Sequence, residues 1–553
     1  MRWLPFLSWP RPNLALLTNE AVAGLTVGLM VIPQGVAYAV LAHMPLVSGI
    51  YASLLPALFA VLFSASSRLS VGPTALTCLM VSASLAGIAS PGSAQWVTLA
   101  IWLSLLSGLL QVSLGSLRFG WLLNLVSTPV LMAFTQAAAI LIISSQLPTL
   151  LGLRGGGTTA MQFPELHLPS LYFGLASAAI LVSLKRWRPG FPTVLVIVLA
   201  SAFLSQQTGF ALEGGAVVGV LPEGFPSLQW PGFPGWDVLG QLAMPVLAIT
   251  LVSFLETASS AMVDNEKRGQ IWDQNQDLIG QGLAKLASGL SGSFPTSSSF
   301  SRSALNLYAG AQTGWATIFS VVVVALALLL FLPLLRQVPQ SVLAAIVVVA
   351  VVGLLKPREF LRLWRISRVE TGIALSTFGI TLLVAPRLYW GVLAGVVMAL
   401  SHFLYQRLHP RIIEVGCHGD GRLRDRHLWQ LPALAEATLA LRMDAALDFG
   451  SANALDRSIT AYLVSHPETR NVVLLAQAIN WIDATGVESF ARLRKQLAAQ
   501  QRVLMVVGLK LPVEQVLSAA GELPESAHLR RFATDAELLQ ALALHPAQPQ
   551  ENP

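Results

Sequence analysis

Fourteen apolar stretches follow one another through most of this chain, near 21–41, 48–64, 73–90, 96–116, 121–147, 170–184, 191–206, 240–262, 275–291, 296–310, 314–335, 339–355, 369–385 and 388–406. Only short connections separate most of them. In hydrocarbon every backbone N–H and C=O must be satisfied inside the protein, so the candidates are helices or a closed barrel. The stretches are continuously apolar rather than alternating, which selects helices. Composition agrees: 54% of residues are hydrophobic and 11% charged, with a mean hydropathy of +0.64, unlike a soluble domain. The stretches opening at Pro73 and Pro295 are shorter than the ~20 residues of a full crossing. Residues 1–20, with Trp3, Pro5, Trp9 and Pro10, read as an interfacial segment, and no cleavable signal peptide is evident.

Charge asymmetry sets an orientation. With the N-terminus inside, the cytoplasmic connections carry Arg68, Arg118, Lys185, Arg186, Arg188, Lys267, Arg268, Lys356, Arg358, Arg362, Arg365, Arg368, Arg407 and Arg411. Outer connections carry only Arg154, Arg336 and Arg387, and the loop 207–239 has Glu213, Glu223 and Asp237 without a basic residue. This follows the positive-inside rule, requires an even number of crossings, and places both ends in the cytoplasm of a cell with an inner membrane. The net charge of +6 then belongs to membrane flanks, next to lipid, and does not indicate nucleic acid.

After residue 408 the character changes. Strand-like Thr438–Met443, Val472–Ala476 and Val503–Val507 alternate with helical 487–499 and 512–520, which implies a small α/β domain. The expected division is an interfacial segment (1–20), a transmembrane domain (21–408), a linker (409–423), the α/β domain (424–545) and a disordered tail (546–553). Cys78 and Cys417 are far apart and suggest neither a disulfide nor a metal site. No nucleophile–base or metal-ligand arrangement points to an enzyme, a cofactor or a metal.

Arg302 stands inside the tenth stretch, in Phe294-Pro-Thr-Ser-Ser-Ser-Phe-Ser-Arg-Ser303. A cation at membrane depth costs ~2.5–3.5 kcal/mol even on the mild insertion scale and usually marks a site. Proline and hydroxyl residues before it suit a helix N-terminus, where N–H groups, hydroxyls and a guanidinium together form an anion receptor. Ser70-Val-Gly-Pro73-Thr74 opens the third stretch in the same way. Third and tenth are seven apart, and an odd repeat inserts inverted, so the two helix starts should converge near the midplane. In the eighth stretch Glu256 either pairs with Arg302 or a lysine, or binds a cation or proton; Ser260 shares its helix face. Lys285 either is a buried charge or snorkels to the inner interface.

Several motifs together resemble the sulfate permease family of anion transporters, whose mammalian relatives include prestin and pendrin. They are Val31-Ile-Pro-Gln34-Gly-Val-Ala-Tyr38, Arg68-Leu-Ser-Val-Gly-Pro-Thr-Ala75, Gly280–Pro295, Phe300–Thr313 and, in the soluble part, Ile482-Asp-Ala-Thr-Gly486, which is similar to a STAS-domain loop. The resemblance implies fourteen transmembrane segments in a 7+7 inverted repeat with uracil-permease-like core and gate domains, a C-terminal STAS domain, a homodimer and elevator alternating access. It assigns substrate binding to Gln34, Tyr38, Thr74, Ser298, Ser301 and Arg302, with Ser298 standing where the family usually has glycine. Ion or proton coupling falls to Glu256 and Ser260, and Thr485 is a regulatory phosphorylation candidate. The function implied is secondary active transport of an inorganic anion, sulfate first, with co-transported H+; Na+ as the coupling ion, bicarbonate or a C4-dicarboxylate as the substrate, and an uncoupled exchanger or channel are alternatives. A nucleobase permease shares the architecture but has no need of a buried cation.

Overall fold

The computed structural model describes residues 4–154, 165–187, 193–219, 224–228, 230–330, 336–385, 387–524 and 526–542. The chain divides into two compact units, residues 1–399 and 400–553.

Each apolar stretch holds helix. In the first unit α1 (Leu14–Leu41) starts where the Asn13 side chain accepts from the Leu16 N–H at 2.8 Å. The second stretch is broken into α2 (Leu46–Tyr51) and α3 (Leu55–Phe63). Then come α4 (Ala75–Leu85), α5 (Ala94–Ser116), α6 (Thr128–Leu150), α7 (Leu168–Trp187) and α8 (Thr193–Gln207). The long α9 (Trp236–Arg268) stops at Gly269, which takes a left-handed conformation with φ 63°. It is followed by α10 (Gln274–Leu290), α11 (Phe300–Tyr308), α12 (Trp315–Leu330) and α13 (Gln340–Val352). An amphipathic α14 (Pro357–Ile366), outside the fourteen stretches, has no buried residue and carries Arg358, Arg362 and Arg365 beside exposed Leu361, Trp364 and Ile366, the pattern of an interfacial helix. Last come α15 (Arg368–Leu383) and α16 (Tyr389–Leu408). Among the described residues seven helical stretches are long and apolar enough to cross a bilayer by themselves. Leu109, Phe203, Leu326 and Leu383 are exposed on the outside of the bundle, a surface suited to lipid. This is a multi-pass membrane protein.

Small residues let the helix backbones meet. A methyl on Gly108 of α5 would lie 2.8 Å from the Gly282 carbonyl oxygen of α10, and one on Gly49 of α2 only 1.8 Å from the Gly35 carbonyl oxygen of α1. Without a hydrophobic drive between helices in lipid, such close packing carries the association. One carboxylate adds a clasp. Glu20, fully buried on α1, accepts from the N–H groups of Gln312 (2.9 Å), Thr313 (2.7 Å) and Ala316 (2.9 Å) and from the Thr313 hydroxyl (2.9 Å). It satisfies the open N-terminus of α12 and complements its dipole. Residues 14–20, part of the expected interfacial segment, are therefore helical, and Glu20 belongs to the core.

Just before the third stretch and at the start of the tenth the backbone is extended. Strand β1 (Val71–Gly72) precedes α4; β2 (Leu153–Arg154) pairs with β3 (Glu165–Leu166); β4 (Ser297–Ser298) precedes α11. Strands β1 and β4 pair antiparallel, Val71 with Ser298 and Gly72 with Ser297, and the Ser299 N–H donates to the Ser70 carbonyl at 3.0 Å. Non-helical backbone at this depth persists only where protein buries it and satisfies its polar groups; each strand does so for the other. Pro295 is accordingly not at a helix start, because β4 lies between it and α11.

The second unit holds a six-stranded sheet in the order β10-β9-β8-β7-β5-β6. Its strands are β5 (Ile412–Cys417), β6 (Leu423–Asp425), β7 (Thr438–Met443), β8 (Asn471–Leu475), β9 (Val503–Val507) and β10 (Leu529–Phe532). The run from β7 to β10 is parallel; β5 and β6 add an antiparallel edge. Helices α17 (Ala452–Ser465), α18 (Ala484–Ala499), α19 (Leu511–Ala519) and α20 (Asp535–Ala541) connect or follow them. Strand side chains alternate between two cores, Leu439, Leu441, Val472 and Leu474 on one face, Ala440, Val473 and Leu475 on the other. Strand β5 lies within 409–423, the stretch expected to be a linker: its isoleucines pair with β7 and Val415 with β6. The tail 546–553 lies outside the described residues.

Candidate functional site

The β1–β4 crossing brings two helix N-termini to one place. Thr74 caps α4 and Ser299 caps α11, each side chain accepting from a first-turn N–H, of Thr77 and Arg302 respectively. Capping of this kind is why hydroxyl residues occupy both starts.

Arg302, on the first turn of α11, is 1% exposed. Its Nη1 donates to the Pro73 carbonyl at 2.8 Å and its Nε to Ser70 Oγ at 3.4 Å, while Nη2 is buried with no hydrogen-bond partner. The guanidinium thus straps α11 to the entry of α4 and keeps one fork nitrogen unused. A buried unsatisfied donor on a charged group is costly, and an anionic oxygen is the acceptor its chemistry suits. The space is tight: a methyl on Gly72 would stand 3.3 Å from Nη2. On α1, Gln34 Oε1 is likewise buried without a partner, and Tyr38 is 6% exposed.

Glu256 on α9 accepts from Thr74 Oγ1 at 3.2 Å. Among the described residues it forms no ion pair; Arg302, Lys285, Tyr38 and Cys78 lie within its electrostatic reach. Ser260, one turn on, donates to the Glu256 carbonyl at 3.3 Å. Lys285 does not snorkel. It is fully buried on α10 and donates to Gln111 Oε1 (2.7 Å) and to Ser253 Oγ.

The structure therefore gathers Tyr38, Thr74, Glu256 and Arg302 around the crossing, with Gln34 one turn before Tyr38 on α1. Two further expected members lie on β4 and on the first turn of α11 themselves. Ser301 is on the exposed side of α11, its hydroxyl 3.3 Å from that of Ser299. Ser298 is fully buried in β4, its hydroxyl 3.5 Å from that of Ser303. Sequence reasoning missed Ser70, whose N–H donates to Ser303 Oγ at 3.0 Å, and Ser297, whose hydroxyl donates to the Ser253 carbonyl at 3.1 Å; the signal available was their place beside the two prolines. It also missed an ion pair between Arg68 and fully buried Asp264. This pair borders a cavity of about 440 Å³ lined by Ser260, Arg268, Phe300 and Ser303. Within the soluble unit, Asp483 caps α18 by accepting from the Gly486 N–H at 2.8 Å and also accepts from the Phe449 N–H, which leaves Thr485 exposed on the first turn.

Comparison with known proteins agrees with this architecture. The sulfate permease family matches residues 17–377 and the STAS domain residues 432–535. A probable sulfate transporter of Mycobacterium tuberculosis is 31% identical over 537 residues, covering 95% of each chain. Among solved structures, SLC26A9 superposes with a TM-score of 0.87 at 21% identity, over 98% of this chain and 93% of that one. The transmembrane domain of a cyanobacterial bicarbonate transporter, BicA, gives 0.58 at 19% identity, over 70% of this chain and 98% of that one. A buried arginine at two opposed helix starts, a multi-pass helical unit and an α/β unit after it are thus found in a chain that belongs to the sulfate permease family of anion transporters, which are not enzymes, and that carries a C-terminal STAS domain.

Proposed function

We propose that this protein is a proton-coupled importer of inorganic sulfate, binding the anion between the N-termini of α4 and α11. The carrying observation is the unpartnered Arg302 Nη2, buried where both helix starts point. An oxyanion leaving water needs replacement donors, and guanidinium, hydroxyl and helix-start N–H groups supply charge-assisted ones. The sulfate-transporter relative at 31% identity over nearly the whole chain supports the choice of anion.

Glu256 is the coupling acid in this reading. While ionised it accepts the Thr74 hydroxyl hydrogen; protonated, it releases that hydroxyl to donate to the anion. Proton and anion binding then reinforce each other through one hydrogen bond. Coupling is needed because a dianion entering against 100 mV inside-negative costs ~4.6 kcal/mol, twice the single-charge figure. Each proton returns ~2.3 kcal/mol per 100 mV, and ~1.4 kcal/mol more per pH unit.

The wider proposal is fourteen segments in a 7+7 inverted repeat. The paired β1 and β4, each preceding a short helix, support that symmetry. An elevator movement of the site-bearing helices, a homodimer, an inner-membrane location with N-terminus and STAS domain in the cytoplasm, and Thr485 as a phosphorylation position complete it.

The test is radiolabelled sulfate uptake into proteoliposomes, with and without an inward proton gradient, for wild type and Glu256→Gln. Gradient-driven uptake that Glu256→Gln abolishes, with sulfate binding retained, is the expected result. Verified reconstitution with no sulfate uptake refutes sulfate and moves the test to bicarbonate, then dicarboxylates.

A further inference from the structure

Lys285 is a basic side chain with no exposure, inside a helical bundle, and it has no carboxylate in contact among the described residues. Its ammonium is held by neutral oxygens from two other helices, Gln111 Oε1 on α5 at 2.7 Å and Ser253 Oγ on α9. The amide is oriented for this. Gln111 Nε2 donates to the Thr250 carbonyl (3.2 Å) and to Ser253 Oγ (3.1 Å), which turns its oxygen to the lysine. Ser104 of α5 donates to the Lys285 carbonyl at 2.8 Å, and the close contact of Gly108 with Gly282 fixes α5 against α10.

An isolated buried ammonium is very costly unless an opposite charge compensates it. The nearest acid is Glu256. It follows Ser253 by three residues on α9, so the two share one helix face about 5–6 Å apart at Cβ. Ser253 is also tied to β4, because Ser297 Oγ donates to its carbonyl. The other ionisable groups around Glu256 are Arg302, Tyr38 and Cys78. Arg302 is committed to the anion when one is bound. Lys285 alone can balance Glu256 throughout the cycle.

An amide oxygen, a hydroxyl and a nearby carboxylate are the hard oxygen donors that a small metal cation takes. Here a side chain already fills that place. We infer that the Lys285 ammonium is a tethered counter-cation for Glu256, standing in for a mobile sodium ion, so that anion transport by this chain runs without sodium. The inference rests on Glu256 being the coupling acid; it adds which cation balances that acid and names the residue that decides it.

The test compares full-length wild type, Lys285→Gln, Lys285→Met and the double variant Lys285→Met/Glu256→Gln, in sodium gluconate and in choline gluconate at one pH. Thermal unfolding in detergent and sulfate counterflow in proteoliposomes are both read. Wild type should show the same Tm and the same counterflow in either salt. Lys285→Gln should lose roughly tenfold or more of its counterflow in choline, because removing the cation leaves the buried Glu256 carboxylate without its compensating charge. Sodium should restore much of it and raise the Tm of this variant only. The double variant, with neither charge, should be more stable than Lys285→Met and indifferent to sodium, the signature of coupled residues.

Sodium stimulation or stabilisation of wild type overturns the inference. So does a Lys285→Gln protein as active in choline as wild type, or a double variant no more stable than Lys285→Met. A wild type that moves no sulfate refutes the sulfate reading and leaves the melting measurements to decide this one.

Discussion

Replacing Glu20 is the sharpest test of how the first unit is held together. The carboxylate is fully buried and accepts four hydrogen bonds, three from backbone N–H groups at the start of α12. In Glu20→Ala the Thr313 hydroxyl can turn elsewhere and the partly buried Gln312 N–H can find other partners. The N–H groups of Thr313 and Ala316 cannot. Each buried donor left unsatisfied costs about 1–3 kcal/mol, and the lost charge–dipole interaction adds about 0.3–1 kcal/mol. The sum is about 2.3–7 kcal/mol, roughly fiftyfold or more in the folding equilibrium. Glu20→Gln keeps one acceptor oxygen but turns an NH2 group toward one of the donors, so an intermediate loss of about 1.5–3 kcal/mol follows. Equilibrium unfolding of the purified protein in detergent, monitored by the shift in midpoint at constant m-value, measures both. A Glu20→Ala loss below about 1 kcal/mol, or a Glu20→Gln protein less stable than Glu20→Ala, refutes the clasp.

Arg302→Lys keeps the charge but loses the fork, including Nη2; sulfate affinity should fall roughly 10–100-fold, the value of one charge-assisted hydrogen bond, and equal affinity in a binding assay would contradict the site. Gly49→Ala forces a methyl to 1.8 Å from the Gly35 carbonyl oxygen and should cost about 1–3 kcal/mol or more, whereas Gly372→Ala on α15, which meets nothing within 4 Å, should be neutral or slightly stabilising in the same thermal assay. In the β5–β6 hairpin, the Arg422 N–H together with His418 and Arg424 holds the Asp420 carboxyl down at about 2. A depressed folded value means that its stabilisation is complete above the unfolded value of about 4 and is lost as pH falls toward about 2. Hydrogen exchange of residues 412–430 should be flat from neutral pH to about 4 after correction for intrinsic rates and quicken below it; quickening already near neutrality would contradict the assignment.

Much of the fold was legible because hydrocarbon demands long apolar runs, and every such run became helix. Arg302 and Glu256 were legible for the opposite reason, as charges where charge is expensive. What escaped depends on partners far away in sequence. Strands β1 and β4 are two residues each; nothing in Val71–Gly72 or Ser297–Ser298 alone signals a strand, since each exists only through the other. Pro295 looked like a helix start because proline is tolerated there, and the pairing of β4 moved the start to Phe300. Glu20 closes a segment whose Trp and Pro residues suit an interface, yet its four donors lie just before and on the first turn of α12. Strand β5 follows directly on α16 and has too few residues to show a period. Ser301 lies next to Arg302 in the sequence, but adjacent residues on a helix point about 100° apart, so Arg302 is buried against Pro73 while Ser301 is exposed.

The pairing of β1 with β4 also governs how the protein can be made. At about 5–20 residues per second, the ribosome delivers Ser297 roughly 10–45 s after Gly72. Throughout that interval the first strand waits in or beside the bilayer with its backbone groups lacking their eventual partner. The early helices can be inserted, but the anion receptor has no existence until the later arm arrives and closes on it. A truncated chain ending before residue 297 should therefore expose that strand to cellular quality control rather than survive as half a transporter.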